Sequence, residues 1–144
     1  MSDQAMRIVA GAVLLLHGLG HGGALGAILW IAARPGARTG GWTAARSWVL
    51  PRLSPRAATV IASTFWIVSL VGFVAAALAF WGILLPVDGW RPIAVGSAVI
   101  SLAGIVTFLG NWPVFNTVAA IVVDVAVLVA VLVLDWPTAA ITGA

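Results

Sequence analysis

The stretch LLLHGLGHGG, residues 14–23, lies in the middle of the first long apolar run, which extends from Ile8 to Ala33. As a helix, this run is long enough to cross a bilayer, and its centre falls near Leu19. Residues four apart lie on the same face of a helix, so His17 and His21 share one face close to the bilayer midplane. The stretch therefore predicts a membrane-spanning helix with two imidazoles at its centre.

One other ionisable residue lies comparably deep, namely Asp124 at the centre of the last apolar run. Ionisable side chains in hydrocarbon are costly, and they face the interior of a helix bundle, where they find partners. We therefore expect Asp124 to meet His17 or His21, directly or through water or a serine. Ser69 and Ser101 lie at a similar depth in their own apolar runs. Together these residues form a candidate site at the midplane.

Composition places the chain among membrane proteins before any motif is considered. Of its 144 residues, 62% are hydrophobic and 8% are charged, with a mean hydropathy of +1.15. Soluble domains carry about 25% charged residues, so much of this apolar surface must face lipid. The net charge of +3 comes from seven scattered arginines, which is too weak a field to indicate a nucleic-acid partner. The lack of cysteine excludes disulfides, thiolate metal sites and a cysteine nucleophile.

Four apolar runs predict an all-α, four-transmembrane-helix bundle with antiparallel up-down topology, as one membrane domain over residues 1–144. The predicted helices cover about residues 8–33, 57–85, 92–109 and 114–134. A cleaved signal peptide is the rival interpretation of the first run, but its apolar region would be only about 7–15 residues long. The turn at 111–113 is so short that helices 3 and 4 must be antiparallel neighbours.

Small, polar and aromatic residues mark the faces that we expect to point into the bundle. In helix 1, Gly18, Gly22 and Gly26 recur every four residues, so another helix backbone should approach closely, above all at Gly22. Each of the other helices has one inward stripe: Trp66, Ser69, Phe73, Ala76, Phe80 and Ile83 in helix 2; Ser97, Ser101, Gly104, Phe108 and Asn111 in helix 3; Thr117, Ala120, Asp124, Val127 and Val131 in helix 4. The aromatic stripe of helix 2 is more typical of a bundle core than of a cofactor site.

One longer, interfacial loop rich in arginine and tryptophan joins helices 1 and 2. It carries Arg34, Arg38, Arg46, Arg52 and Arg56, with Trp42 and Trp48 between them. Two structures are open for it: a short interfacial helix capped by Thr43 and running to Leu50, or an irregular solvated loop. Arginine excess marks cytoplasmic loops, so we expect this loop in the cytoplasm and both termini outside the plasma (inner) membrane. Seven of the eight tryptophans lie at span ends or in loops, as an interfacial belt requires.

Three interpretations of the midplane residues are open. In the first, Asp124 only hydrogen-bonds a histidine or serine and fixes helix register. In the second, which we favour, burial disfavours the charged forms, so the residues pass a proton or anchor a polar head group. The candidate catalytic residues are then His17, His21 and Asp124, and the candidate ligand-binding residues add Ser69, Ser101 and Trp66.

The third interpretation is a metal site, because His-x3-His with one carboxylate is a possible ligand set. No further histidine or acidic residue is available at that depth, and no glutamate stands beside His17 as it does in zinc proteases. The sequence also lacks a nucleophile elbow, a phosphate loop and a dinucleotide fingerprint. We therefore expect no metal and no cofactor.

Several scattered features resemble small bacterial four-helix integral membrane proteins. They are Arg7 followed by apolar residues and His-Gly, Ser47-Trp48-Val49-Leu50 before helix 2, Trp66 to Phe73, Trp90-Arg91-Pro92, and the late Asp124. In size and layout the chain is also similar to DoxX-like proteins. The resemblance implies a four-helix membrane bundle and transfers no catalytic residue.

The expected function is non-enzymatic: binding of a small amphiphilic or lipid-like molecule, or service as a membrane subunit of an assembly. The alternative is a small integral-membrane enzyme that uses Asp124 with His17 and His21 in acid–base or metal-assisted chemistry. The expected partners are the lipid bilayer, a small hydrophobic ligand, and a second copy or a membrane protein. A binder or an enzyme needs a cavity that reaches the site, whereas a subunit needs a filled centre.

Overall fold

The computed structural model describes residues 2–34 and 41–142 and is all-helical there, without a β-strand. Its elements, in chain order, are α1 Asp3–Ala33, α2 Pro55–Trp81, a 3₁₀ turn Val87–Gly89, α3 Trp90–Thr107, α4 Val114–Leu132 and the short α5 Ala139–Thr142. Four of these segments are long and apolar enough to cross a membrane. The all-α fold class is therefore confirmed, with four helices that are long and apolar enough to span a membrane.

Local capping moves two helix ends away from the predicted positions. α1 begins five residues earlier than expected, because the hydroxyl of Ser2 accepts a hydrogen bond from the Ala5 amide at 3.2 Å and caps the helix. Residues 3–7, which the sequence prediction left outside helix 1, thus belong to the start of α1. α2 ends at Trp81, four residues early, because Gly82 adopts the left-handed conformation with φ of +70°.

Consecutive helices pack against each other, with the largest interface between α1 and α2 and the smallest between α3 and α4. Contact between α1 and α4 is weaker still, so these two helices meet along a narrow line that we call the α1–α4 seam. In α4 the buried residues are Thr117 and Asp124, and most of its valines are exposed. The first three helices therefore form the packed body, and α4 is added to one side of it.

The predicted inward stripes of α2 and α3 are buried except at Ile83, and that of α4 is buried at Thr117 and Asp124 and half-buried at its other positions. Trp66, Phe73 and Phe80 of α2 are at most 2% exposed, and the polar stripe of α3 is buried along its length. Ile83 is 48% exposed, because α2 has ended before it. Two aromatic clusters fill the core, one around Phe73 and Phe80 and the other around Trp66 and Trp112.

The glycine stripe of α1 makes its close approach at Gly18, so the prediction that placed it at Gly22 is wrong. A β-carbon at Gly18 would lie 3.0 Å from Cβ of Phe73 and 3.2 Å from the Leu70 carbonyl oxygen. At Gly22 the nearest atoms are the flexible end of the Leu70 side chain at 3.5 Å, and at Gly26 there is nothing within 4 Å. The backbones of α1 and α2 therefore touch about one turn earlier along α1 than expected.

We expect Gly18→Ala to destabilise the bundle by about 1–3 kcal/mol, because the added methyl meets backbone atoms that cannot move aside. Gly26→Ala is the matched control on the same helix, and it should be neutral or stabilising by up to about 1 kcal/mol. Unfolding by SDS in mixed micelles measures both. Equal stability of the two variants would contradict the close contact at Gly18.

The segment between α1 and α2 packs on the end of α3. Its described part, residues 41–54, contains no helix, so the interfacial helix from Thr43 to Leu50 is not formed there. Thr43 donates its amide to the Asn111 carbonyl at 2.9 Å, and the Asn111 amide group donates to the Arg46 carbonyl at 2.6 Å. Trp48 donates its indole N–H to the Val106 carbonyl. Residues 35–40, with Arg38, lie outside the described residues.

A second set of polar contacts joins the start of α1 to the end of α2, and the start of α3 to the chain beyond α4. Arg7 donates to the Trp81 carbonyl at 3.1 Å, and Arg91 pairs with Asp135. Trp90 also lies here, but it is 4% exposed and packs in the core instead of facing an interface. Trp112 is buried too, so the predicted tryptophan belt is smaller than the sequence suggests.

Candidate functional site

Four polar side chains from three helices form one hydrogen-bonded cluster, which we call the midplane cluster: His17, His21, Ser101 and Asp124. Nε2 of His17 lies 2.8 Å from Oδ1 of Asp124. Ser101 donates its hydroxyl to Oδ2 of Asp124 at 2.6 Å, and Nε2 of His21 lies 3.2 Å from the same hydroxyl oxygen. The expectation that Asp124 faces inward and meets a histidine directly is confirmed.

Counting the available hydrogens shows which atom donates in each hydrogen bond of the cluster. Ser101 has one hydrogen to donate, and it goes to Asp124, so Nε2 of His21 must carry the hydrogen that is donated to Ser101. With Asp124 ionised, both of its oxygens accept, and Nε2 of His17 is the second donor. The cluster is then a buried carboxylate that accepts one hydrogen bond on each of its two oxygens.

Aromatic rings hold the two imidazoles in place. His21 stacks on Trp66 with ring centroids 5.2 Å apart, and its plane is 12° from that of Phe73. His17 meets Phe73 edge to face at 4.6 Å and His21 at 4.7 Å. The aromatic stripe of α2 therefore forms the wall on which the imidazoles rest.

Asp124 has no exposed surface, and among the described residues its hydrogen-bond partners are His17 and Ser101. The arginines are placed by the sequence at the ends of the spans or in loops, far along the helices from this depth. No guanidinium within the described residues pairs with Asp124. Charge compensation at the midplane therefore has to come from the histidines or from a bound group.

A cavity of about 210 Å³ opens beside the imidazoles along the α1–α4 seam. We call it the histidine cavity. His17 and His21 form part of its wall, and Trp66, Trp112 and Phe115 add aromatic surface. Asp124 is not in the wall, so an occupant meets the imidazoles first and the carboxylate through them.

A second cavity, of about 300 Å³, follows the same seam on the other side of the midplane cluster. We call it the apolar cavity, because its wall is built mainly from aliphatic side chains of α1 and α4, such as Val13, Leu14 and Val127. The histidine cavity reaches from Leu16 towards the start of α4, whereas the apolar cavity reaches from Leu14 towards its end. The thin contact between α1 and α4 thus leaves space both before and after the cluster.

Of the remaining candidate ligand-binding residues, Trp66 lies at the histidine cavity and Ser69 does not. Trp66 lines the histidine cavity, and its buried indole N–H has no hydrogen-bond partner among the described residues. Ser69 is fully buried, makes no hydrogen bond within the described residues, and does not belong to the midplane cluster. The sequence prediction missed Trp42 and Asn116 in the cavity wall. Asn116 could have been found from the sequence, because it directly precedes Thr117, which belongs to the predicted inward stripe of helix 4.

Three residues of the cluster have the composition of a metal ligand set. One ligand atom each from His17, His21 and Asp124 lies within 4.8 Å of the other two. Imidazole nitrogen and carboxylate oxygen are the donors that zinc and related ions prefer in proteins. The geometry therefore permits a metal, although the sequence favoured other interpretations.

The comparisons with known proteins add no assignment to this geometry. No protein-family model matches the chain, and neither a curated protein nor a solved structure is significantly similar to it. A function for the chain therefore has to be argued from the midplane cluster and the two cavities beside it.

Proposed function

We propose that the chain is a multi-pass protein of the bacterial plasma membrane that binds a small amphiphilic molecule along the α1–α4 seam. The observation that carries this proposal is the histidine cavity, which reaches the two imidazoles from the seam. A filled centre is what an assembly subunit needs, and the cavity favours a binding protein instead.

The polar end of the occupant lies against the imidazoles. Within the part of the chain that the structure describes, the indole N–H of Trp66 at the cavity wall has no acceptor, and buried indole N–H groups usually find one. A hydroxyl or carbonyl oxygen on the occupant would supply this acceptor. The volume of the cavity, about 210 Å³, favours a compact head group.

The hydrocarbon part of the occupant extends along the seam. α4 presents a mainly aliphatic, exposed surface beside it, with Val118 and Val122 more than half exposed. The apolar cavity continues the same line beyond the midplane cluster. An amphiphile can therefore enter sideways from the lipid without passing a polar end of the bundle.

A photoactivatable long-chain alcohol that carries a diazirine tests this proposal. It should label residues of the histidine cavity, and an excess of the unmodified alcohol should suppress the labelling. Gly20 lines the cavity, and among the described residues nothing lies within 4 Å of a β-carbon placed there, so Gly20→Leu adds bulk at the cavity wall without a clash at its β-carbon. We expect labelling to be lost in this variant.

Gly26→Leu is the matched control, because among the described residues nothing lies within 4 Å of a β-carbon placed at Gly26, and Gly26 lines neither cavity. It should label as the unsubstituted protein does. Equal, non-saturable labelling of both variants would mean that the alcohol only reports lipid contact, and the binding proposal would be wrong.

We also propose that the four helices cross the membrane alternately up and down, with the loop between α1 and α2 in the cytoplasm. Four arginines on this loop and Arg56 in the first turn of α2, against Arg7 and Arg91 on the other side, support this orientation. Because the chain has no cysteine, single cysteines at Ala44 and Asp88, both exposed, report the two sides. In intact cells an impermeant thiol reagent should label Asp88→Cys and not Ala44→Cys. The reverse pattern would invert the topology.

A further inference from the structure

We propose that His17, His21 and Asp124 form a binding site for a divalent transition-metal ion of the Zn²⁺ type. This inference goes beyond amphiphile binding and does not depend on it, since it rests on the ligand atoms of the midplane cluster alone. It also reverses the expectation from the sequence that no metal binds.

The ligand atoms already lie close to the required arrangement. Nε2 of His17 and Oδ1 of Asp124 are 2.8 Å apart, and all three ligand atoms lie within 4.8 Å of one another. Around a tetrahedral Zn²⁺ with bonds of about 2.0–2.1 Å, ligand atoms are about 3.3–3.4 Å apart. To bind the ion, Nε2 of His17 and Oδ1 of Asp124 have to move apart by about half an ångström. The two ligand atoms that are farthest apart have to approach each other by about 1.4 Å, and side-chain rotation can provide both changes.

The two histidines come from one helix with the spacing that metal sites use. Imidazoles at positions i and i+4 project from the same face and can share one ion, which is the basis of histidine pairs in helical zinc sites. The close packing of Gly18 on α2 fixes the rotation of α1 at this point. Only Asp124 then has to come from another helix, α4.

Ser101 acts as the outer partner of the carboxylate. It donates to Oδ2 of Asp124 at 2.6 Å, which leaves Oδ1 to face His17. Outer hydrogen bonds of this kind hold ligating carboxylates in orientation. When the ion binds, Nε2 of His21 exchanges its hydrogen bond to Ser101 for a bond to the metal, and Nε2 of His17 does the same with its hydrogen bond to Asp124. In each ring the proton moves from Nε2 to Nδ1.

The histidine cavity supplies the remaining coordination position. His17 and His21 lie in its wall, so the face of the ion that is turned away from Asp124 opens into it. The carboxylate balances one of the two positive charges, and hydroxide or an anionic oxygen from the cavity balances the other. Three protein ligands with one open position are the pattern of reactive zinc sites, whereas structural sites are closed by four.

Metal content and stability of the full chain test the inference. The protein is purified with a tag that contains no histidine, stripped with a chelator, loaded with Zn²⁺ and dialysed before elemental analysis. We expect about one Zn²⁺ per chain, and near none in His21→Ala and Asp124→Asn. Asp135→Asn, which removes an exposed acidic group, should bind as the unsubstituted chain does.

The unfolding temperature of the unsubstituted chain, measured with and without the ion, tests the inference even if a variant folds poorly. Zn²⁺ should raise the unfolding temperature, whereas Mg²⁺, which prefers oxygen ligands, should not. Substoichiometric zinc in the unsubstituted chain, or equal zinc in a folded His21→Ala variant, would overturn the inference. Photolabelling of the chelator-treated protein is a separate measurement, so failure here leaves the amphiphile proposal standing.

Discussion

Asp124→Ala is expected to lower the free energy of unfolding by about 2–4 kcal/mol, because it leaves two buried groups without their partner. The hydroxyl of Ser101 and the ring nitrogen of His17 both point at Asp124 in a place that water does not reach freely. A hydrogen bond between membrane helices is itself worth only about 0.6 kcal/mol on average. The larger expected loss therefore comes from the unpaired groups that remain.

Replacing the whole midplane cluster by apolar residues should recover most of this loss. The combined variant carries His17→Leu, His21→Leu, Ser101→Ala and Asp124→Val, so no polar member is left without a partner. Replacement of a complete buried polar set is often neutral or stabilising. Unfolding in mixed micelles measures both variants, with the exposed Asp135→Ala as control, expected to change by about 0.5 kcal/mol or less.

The comparison separates a structural cluster from one retained for binding. A stable combined variant that no longer binds Zn²⁺ or the photoactivatable alcohol would mean that the cluster is kept for its ligand. If Asp124→Ala is as stable as Asp135→Ala, the contact between Asp124 and His17 does not hold the bundle together, and our account of the cluster is wrong.

Phe73→Ala is expected to cost about 2–3 kcal/mol. Phe73 is fully buried, packs against Gly18 and forms the wall behind both imidazoles. In soluble proteins such a change costs about 3–5 kcal/mol, part of which is the transfer of the ring out of water. In a membrane the unfolded helices remain in lipid, so that part is absent and the loss of packing contacts remains.

Phe115→Ala is the control for this prediction, because its ring is 81% exposed. It should alter the free energy of unfolding by about 0.5 kcal/mol or less. The same micelle titration serves for both, and similar losses would show that the wall of aromatic rings does not support the bundle.

Hydropathy alone predicted the four helices and the inward position of Asp124. In a bilayer an apolar run of this length has to form a helix, because its backbone groups must be hydrogen-bonded internally. A carboxyl group at the midplane has to face the interior of the bundle, because lipid penalises it strongly. The ends of the helices were predicted less accurately, since they depend on single capping residues. Ser2 extended α1 by five residues, and Gly82 stopped α2 before its apolar run ended.

The pairing inside the midplane cluster could not be predicted from the sequence. Which histidine contacts Asp124 depends on the rotation of α1 about its own axis, and the packing of Gly18 against α2 sets that rotation. The cavities could not be predicted either. They exist because α1 and α4 pack loosely, and no pattern within one helix reports the distance to a helix more than 80 residues away.

The exposed, valine-rich surface of α4 also bears on how the chain enters the membrane. An aspartate at the centre of a helix opposes insertion by about 2.5–3.5 kcal/mol. Twelve residues of α4 are Val, Ile, Leu or Phe, and at about 0.3–0.6 kcal/mol each they favour insertion by about 4–7 kcal/mol. α4 can therefore insert on its own before any histidine is beside it. In this way α4 can bring its acid to the midplane first, and His17 of α1 can meet it there by lateral association.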